Sequence, residues 1–154
     1  KYSGASVGKL MDIAAPAMFV AQTIGRVGDV INGEHWSRAL DTFWGWYFTH
    51  PDSPARIGAE RFFGDPERPV HPAIVYEMIW NMIGLYVITK LRGRLTPDGS
   101  IWWVYLTWYS IGRFFIQFLR LDDVKFLGLQ EAHIIAILVL SVSLPYIFKK
   151  VRIK

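Results

Sequence analysis

Residues 100–119 read SIWWVYLTWYSIGRFFIQFL, twenty positions with one formal charge, Arg113. A helix that spans a membrane needs about 20 consecutive, mainly apolar residues, and this stretch reaches that length. Three other stretches belong with it. Residues 72–91 are as long and are broken by Glu77 and Asn81. Residues 132–148 carry no formal charge, and residues 10–25 form a shorter apolar run that crosses Asp12. Core helices of a water-soluble protein are the alternative, but stretches of this kind in a chain of 154 residues leave too little amphipathic surface. The expected fold is all-α: a polytopic membrane helical bundle of about four transmembrane helices. It is read as a single membrane domain over residues 1–154, with residues 26–71 as an extracytoplasmic connection.

Composition agrees. The chain is 52% hydrophobic, 16% aromatic and only 19% charged, against about 25% charged in soluble domains. Its aromatic content is incompatible with disorder, which needs low hydrophobicity. It has no cysteine, which excludes a disulfide framework, a thiolate zinc site and a cysteine nucleophile on this chain. No metal site and no nucleic-acid partner is expected.

Lys and Arg set the orientation of membrane helices. Lys1 and Lys9 precede the first stretch, Lys90, Arg92 and Arg94 follow the second, and Lys149, Lys150, Arg152 and Lys154 follow the fourth. If all four stretches cross, these basic residues fall on one side, and both termini are cytoplasmic. The turn over residues 92–99 has Pro97-Asp98-Gly99 breaker chemistry and reads as a tight hairpin. The connection over residues 26–71 has five Arg, no Lys and seven acidic residues. Its stretch over residues 42–48, TFWGWYF, is densely aromatic. Trp and Tyr favour the headgroup layer, so this arm is expected on the outer membrane face.

Ionisable groups in spans are costly and usually face a bundle interior or a wet cavity. Three clusters need a reason. Residues 25–35, GRVGDVINGEH, place Arg26, Asp29, Asn32 and Glu34 among glycines that let a ligand approach the backbone, Gly28 included. A solvated helix end followed by a turn is the plainer reading. His71, Tyr76 and Glu77 open the second stretch, with Glu77, Asn81 and Gly84 on one helix face. Glu77 could equally sit in the headgroup layer or bridge to an arginine. Tyr105, Tyr109, Arg113 and Gln117 form an i, i+4 stripe on the third, with Arg120 close to it. Arg113 could also snorkel to the headgroups. All three clusters reach the same depth of the same leaflet. Two arginines beside glycine-rich backbone suit a phosphodiester, because guanidinium forks match phosphate oxygens.

These stretches resemble a known family. Gly25-Arg26-x-Gly28-x-x-x-Asn32-x-Glu34 is similar to the prolipoprotein diacylglyceryl transferase signature Gly-Arg-x-Gly-Asn-Phe-x-Asn-x-Glu-x-x-Gly. His71-Pro-x-x-x-Tyr76-Glu77 matches as well, as do Tyr109-x-x-Gly112-Arg113-Phe114 followed by Arg120 and Asp122, and Leu127-Gly128-Leu129. The order and spacing agree along nearly the whole chain. The resemblance implies a multi-pass enzyme of the bacterial inner membrane with no metal or organic cofactor. It implies transfer of the diacylglyceryl group of phosphatidylglycerol to a lipobox cysteine of a preprolipoprotein, with release of glycerol phosphate. In those terms Arg26 and Arg113 hold the phosphate and stabilise the leaving group. Glu34 is catalytic and, with Asn32, orients that network. Gly28, His71, Tyr76, Glu77, Tyr109, Gln117 and Arg120 would bind substrate.

The chain departs from the pattern at Asp29 for Asn, Val30 for Phe, Ser37 for Gly, Gln117 for an acid and His133 for Gln. The family's N-terminal half, with the His-Gly-Gly motif implied to supply a base, has no counterpart. The chain therefore reads as the C-terminal part of an enzyme or as a shortened relative. The second reading is a catalytically silent, transferase-like structural or lipid-binding subunit among other membrane subunits.

Overall fold

The computed structural model describes residues 4, 6–34 and 36–154. Lys1, counted above with the basic end, and His35 lie outside the described residues. Five helices dominate: α1 (Val7–Asn32), α2 (Pro54–Phe63), α3 (Ala73–Leu91), α4 (Ser100–Gln117) and α5 (Glu131–Lys150). Two short antiparallel pairs join them, so the fold is not purely α. Strand β1 (Leu95–Thr96) pairs with β4 (Arg152–Ile153), and β2 (Val124–Phe126) pairs with β3 (Leu129–Gln130).

Helix α1 corrects the sequence reading of its first segment. It runs on to Asn32 rather than stopping at residue 25, so Arg26, Gly28, Asp29 and Asn32 are helical. Gly25 and Gly28 lower helix propensity but keep their N–H groups and so do not end it. The stop comes at Gly33, whose φ of 66° is left-handed and whose N–H reaches back to the carbonyls of Asp29 and Val30. Helix α2 is a second addition, set inside the connection. It opens on Pro54 and closes on Gly64 at φ 70°, the usual asymmetry of proline at a helix start and glycine past its end.

Helix α4 is the central element and packs against α1, α3 and α5, while α1 also packs against α3. Ala15, Phe19, Ile88, Ile101 and Tyr105 form the buried apolar cluster. Phe19 meets Tyr105 edge to face at 4.8 Å, and the Gln22 amide donates to the Tyr105 hydroxyl at 3.0 Å. Between α3 and α4, Trp80 and Trp108 stack at 4.6 Å. Each indole N–H donates to the other residue's backbone carbonyl, at 2.9 and 3.0 Å. Two glycines make this stack possible. A Cβ on Gly84 would lie 2.6 Å from Trp108, and one on Gly112 would lie 2.2 Å from the Trp80 ring. Gly112→Ala is therefore expected to cost about 1–3 kcal/mol. The check is a lower midpoint of thermal unfolding in detergent micelles. An unchanged midpoint would show that the stack relaxes freely.

The ends of the bundle are tied differently. At one end Ser6 donates to Asp98 at 2.6 Å, and β4 pairs with β1. The start of α1, the 92–99 hairpin and the end of α5 thus meet there. Asp12 has its reason at this end. Its carboxylate accepts the N–H groups of Gly99 at 2.8 Å and Trp102 at 3.0 Å, and so caps α4 from a neighbouring helix. At the other end the arm, residues 34–72, lies against residues 119–121. Arg38 N–H donates to the Leu119 carbonyl, Leu121 N–H donates to the Trp36 carbonyl, and Trp46 bridges to Val70. Phe43 at the arm's tip is 94% exposed.

Polarity is arranged as hydrocarbon solvent would select. Glu77, Asn81, Ser100, Thr107, Ser110, Gln117, His133 and Ser143 are buried. Ile13, Ile24, Ile79, Ile83, Tyr86, Leu138 and Val142 are exposed on the helices. Small and polar residues between helices with apolar residues outward is the pattern of membrane bundles. Two helices, α3 and α5, are long and apolar enough to cross a membrane, at mean hydropathy 1.2 and 1.8.

Candidate active site at the arm end

The centre of the site is one buried carboxylate. Glu77 sits at the arm end of α3 and is 4% exposed. Its Oε2 lies 2.5 Å from Arg26 Nε of α1, an ion pair without directed hydrogen-bond geometry. Its Oε1 accepts a hydrogen bond from Arg113 Nη1 of α4. Arg26 is held a second time by Asp29, one turn on, at 2.7 Å. Three helices thus bring two guanidinium groups to one carboxylate. Of the plainer readings of Glu77, the bridge to arginine is the one observed, and the bridge is double.

Two adjoining cavities flank this cluster. The larger, about 690 Å³, lies between α4 and α5. The whole stripe of Tyr105, Tyr109, Arg113 and Gln117 lines it. Its lining is apolar at Leu106, Ile135, Ala136 and Val139 and polar at Lys125, Asp122 and Gln130. The smaller cavity, about 320 Å³, is walled by Arg26, Asp29, Glu34, Trp36, Arg120 and Asp122. Trp36 and Asp122 line both.

A hydrogen-bonded chain fixes the wall between them. The Gln117 amide donates to Asp122 and to the Gln130 side-chain oxygen, both at 2.5 Å. Gln130 donates in turn to the carbonyls of Arg120 and Asp122 at 3.0 Å. Those carbonyls only accept, so the Gln130 amide has one orientation, and the Gln117 amide is set by it. An acid at position 117 would lose both donors and face Asp122. Arg120 Nε pairs with Asp122 at 3.0 Å. The peptide N–H of Gln130 donates to His133 Nδ1, and their reciprocal bonds cap the start of α5.

Asp122 lies in the loop beyond α4. Burial raises its pKa, but the hydrogen bond and charge of Arg120, with help from Gln117, outweigh that and hold it below its ordinary value of 3.8. A depressed folded-state pKa stabilises the fold above the unfolded value and loses that contribution as pH falls through the folded one. Thermal stability should therefore decline on acidification below about 3.8. In Asp122→Asn this part of the decline should be gone, as a pH series of melting curves would show. An identical acid limb in the variant would contradict it.

The remaining expected residues are placed less centrally. Asn32 and Glu34 are exposed just beyond the cluster, with the Asn32 amide 3.4 Å from Glu34. A Cβ on Gly28 would meet no protein atom within 4 Å. His71 and Tyr76 are in edge-to-face contact at 6.2 Å and line neither cavity. Burial lowers the His71 pKa from 6.5, which favours the neutral ring. Trp36, Lys125 and Gln130 were missed. Trp36 is anchored by its indole N–H on the Pro54 carbonyl at 2.8 Å, and Gly58 sits beneath its ring. Nothing local in the sequence marks it as a wall between two cavities.

The prolipoprotein diacylglyceryl transferase family profile matches residues 1–149. The chain belongs to this family. It is 34% identical to the phosphatidylglycerol–prolipoprotein diacylglyceryl transferase of Lysinibacillus sphaericus over 95% of its own length and 53% of that protein's. The Streptococcus uberis protein of the same name is 32% identical over 95% of this chain and 54% of its own. A Streptococcus equi subsp. zooepidemicus relative with that name is 33% identical over 94% and 53%. The chain spans about half the length of the curated relatives it matches. Membership explains why the matching motifs come together in space: the glycine-arginine stretch, the helix carrying Glu77 and the helix carrying Arg113 meet at one cluster.

Proposed function

We propose that this chain carries the phosphate-binding part of a site that transfers diacylglyceryl from phosphatidylglycerol to a preprolipoprotein cysteine. The observation that carries it is the pair Arg26 and Arg113 on one buried Glu77, beside a cavity lined by both polar and apolar side chains. The lipid's acyl portion lies along Leu106, Ile135 and Val139. Its phosphate replaces or joins Glu77 on the guanidinium groups. The peptide's sulfur attacks the glycerol carbon bonded to the phosphate oxygen. A carbon–sulfur bond forms and the carbon–oxygen bond breaks. The electron pair leaves on glycerol phosphate, where the two arginines offset the charge, and the thiol proton passes to a base. Glu34 and Asn32 orient the arginines, while Gly28, Tyr109, Gln117 and Arg120 line the lipid's path. His71 and Tyr76 steady the start of α3.

All of α1, α3, α4 and α5 cross the bacterial inner membrane in this reading. The 154 residues form one membrane unit with cytoplasmic termini and the aromatic arm in the outer headgroup layer. A second reading, a transferase-like lipid-binding subunit without catalysis, draws on Asp29 and Glu77, which together cancel both arginine charges. The test is transfer from radiolabelled phosphatidylglycerol vesicles to a lipobox peptide by the protein in native membranes. Equimolar thioether and glycerol phosphate support the enzyme. Lipid retained without transfer supports the subunit.

A further inference from the structure

The smaller cavity holds more carboxylates than cations. Asp29, Glu34 and Asp122 face Arg26 and Arg120 across about 320 Å³. Asp122 is paired with Arg120. Arg26 is engaged twice, through Nε by buried Glu77 and through Nη1 by Asp29. Glu34 has no ion pair among the described residues and takes only the Asn32 amide at 3.4 Å. Trp36 adds an aromatic wall. A phosphate entering here must use what is left of the Arg26 fork or displace Asp29. The group esterified beyond the phosphate then lies against carboxylates and an indole, surroundings that favour a cation over an uncharged polyol.

We propose that Asp29 is a specificity-determining residue that lowers the cavity's preference for anionic phospholipid headgroups and lets ammonium-bearing headgroups compete. This rests on the proposed function: the phosphate lies on Arg26 and Arg113, Arg113 lining the larger cavity, and the group esterified beyond it enters the smaller one. A glycerol headgroup brings hydroxyls and one net negative charge. An ethanolamine headgroup brings the same phosphate and an ammonium that offsets it and donates to Asp29 and Glu34. The charge at residue 29 therefore decides the ratio between the two lipids, while Arg113 decides whether either binds.

The experiment incorporates the full chain into nanodiscs with equal amounts of phosphatidylglycerol and phosphatidylethanolamine. After extraction into detergent, the lipid retained per protein is measured by mass spectrometry. Asp29→Asn keeps the side chain's shape and removes its charge, so the retained glycerol-to-ethanolamine ratio should rise about fivefold. Asp29→Glu keeps the charge and should stay at the wild-type ratio, as should Asp65→Asn in the exposed arm. Equal ratios in wild type and Asp29→Asn overturn the proposal, and so does an Asp29→Glu ratio that follows Asn. Arg113→Ala separates the two claims. Loss of both lipids supports the headgroup site, whereas unchanged retention of both overturns that reading and this inference with it.

Discussion

Arg113→Ala is expected to lower diacylglyceryl transfer by at least about a hundredfold, the usual loss when a group stabilising developing charge is removed. Arg92→Ala is expected to change little. Arg113 reaches the site from α4, the helix in contact with α1, α3 and α5, and its guanidinium is tied to Glu77. Arg92 follows α3 at the opposite end of the bundle, beside the hairpin. Arg113→Lys should recover only a small part, because an ammonium lacks the planar fork that matches carboxylate or phosphate oxygens two at a time. The measurement is the initial rate of thioether formation at matched amounts of folded protein. Equal rates in the two alanine variants would remove Arg113 from the site.

Glu77→Ala should be the most damaging change to stability, at about 3–5 kcal/mol. Glu77 is 4% exposed, and Arg26 and Arg113 are mostly covered, with side-chain exposures of 22% and 21%. Removing the carboxylate leaves two cations facing each other where solvent reaches poorly. Asp29 still compensates Arg26, so the charge uncovered is chiefly that of Arg113. Glu77→Gln should be milder, since its amide oxygen still accepts from one guanidinium. Added phosphatidylglycerol should restore part of the lost stability, because a phosphate supplies the missing charge. Melting of the purified variants in detergent, with and without that lipid, tests both points. A Glu77→Ala protein as stable as wild type would mean the cluster contributes no net stability.

What the sequence made legible follows its periodicities. The stripe Tyr105, Tyr109, Arg113 and Gln117 repeats every fourth residue, and all four line one cavity. The shared face of Glu77, Asn81 and Gly84 is likewise buried in the bundle. Convergence of Arg26, Glu77 and Arg113 followed from placing three helix ends at one depth. The reach of α1 did not follow, because the apolar run ends at Arg26 while the helix continues to its stop at the left-handed Gly33. The Gln117–Asp122–Gln130 chain was hidden because it closes through a loop and a two-stranded turn, where no period relates the partners. Asp12 was legible as a charge in an apolar run, but its role as a cap depends on a helix start far along the chain. Asp29 was visible as a departure from the family pattern, and its pairing with Arg26 became visible only once both were on one helix.

The central claim is that the guanidinium groups of Arg26 and Arg113 hold a phospholipid phosphate. The most direct test is solid-state NMR of the full chain, with labelled arginine nitrogens, in bilayers containing phosphatidylglycerol. Dipolar coupling from lipid phosphorus to the guanidinium nitrogens is recorded for wild type, Arg26→Lys and Arg113→Lys. The account predicts a coupled arginine signal that loses intensity in each variant. An undiminished signal in both variants would contradict it.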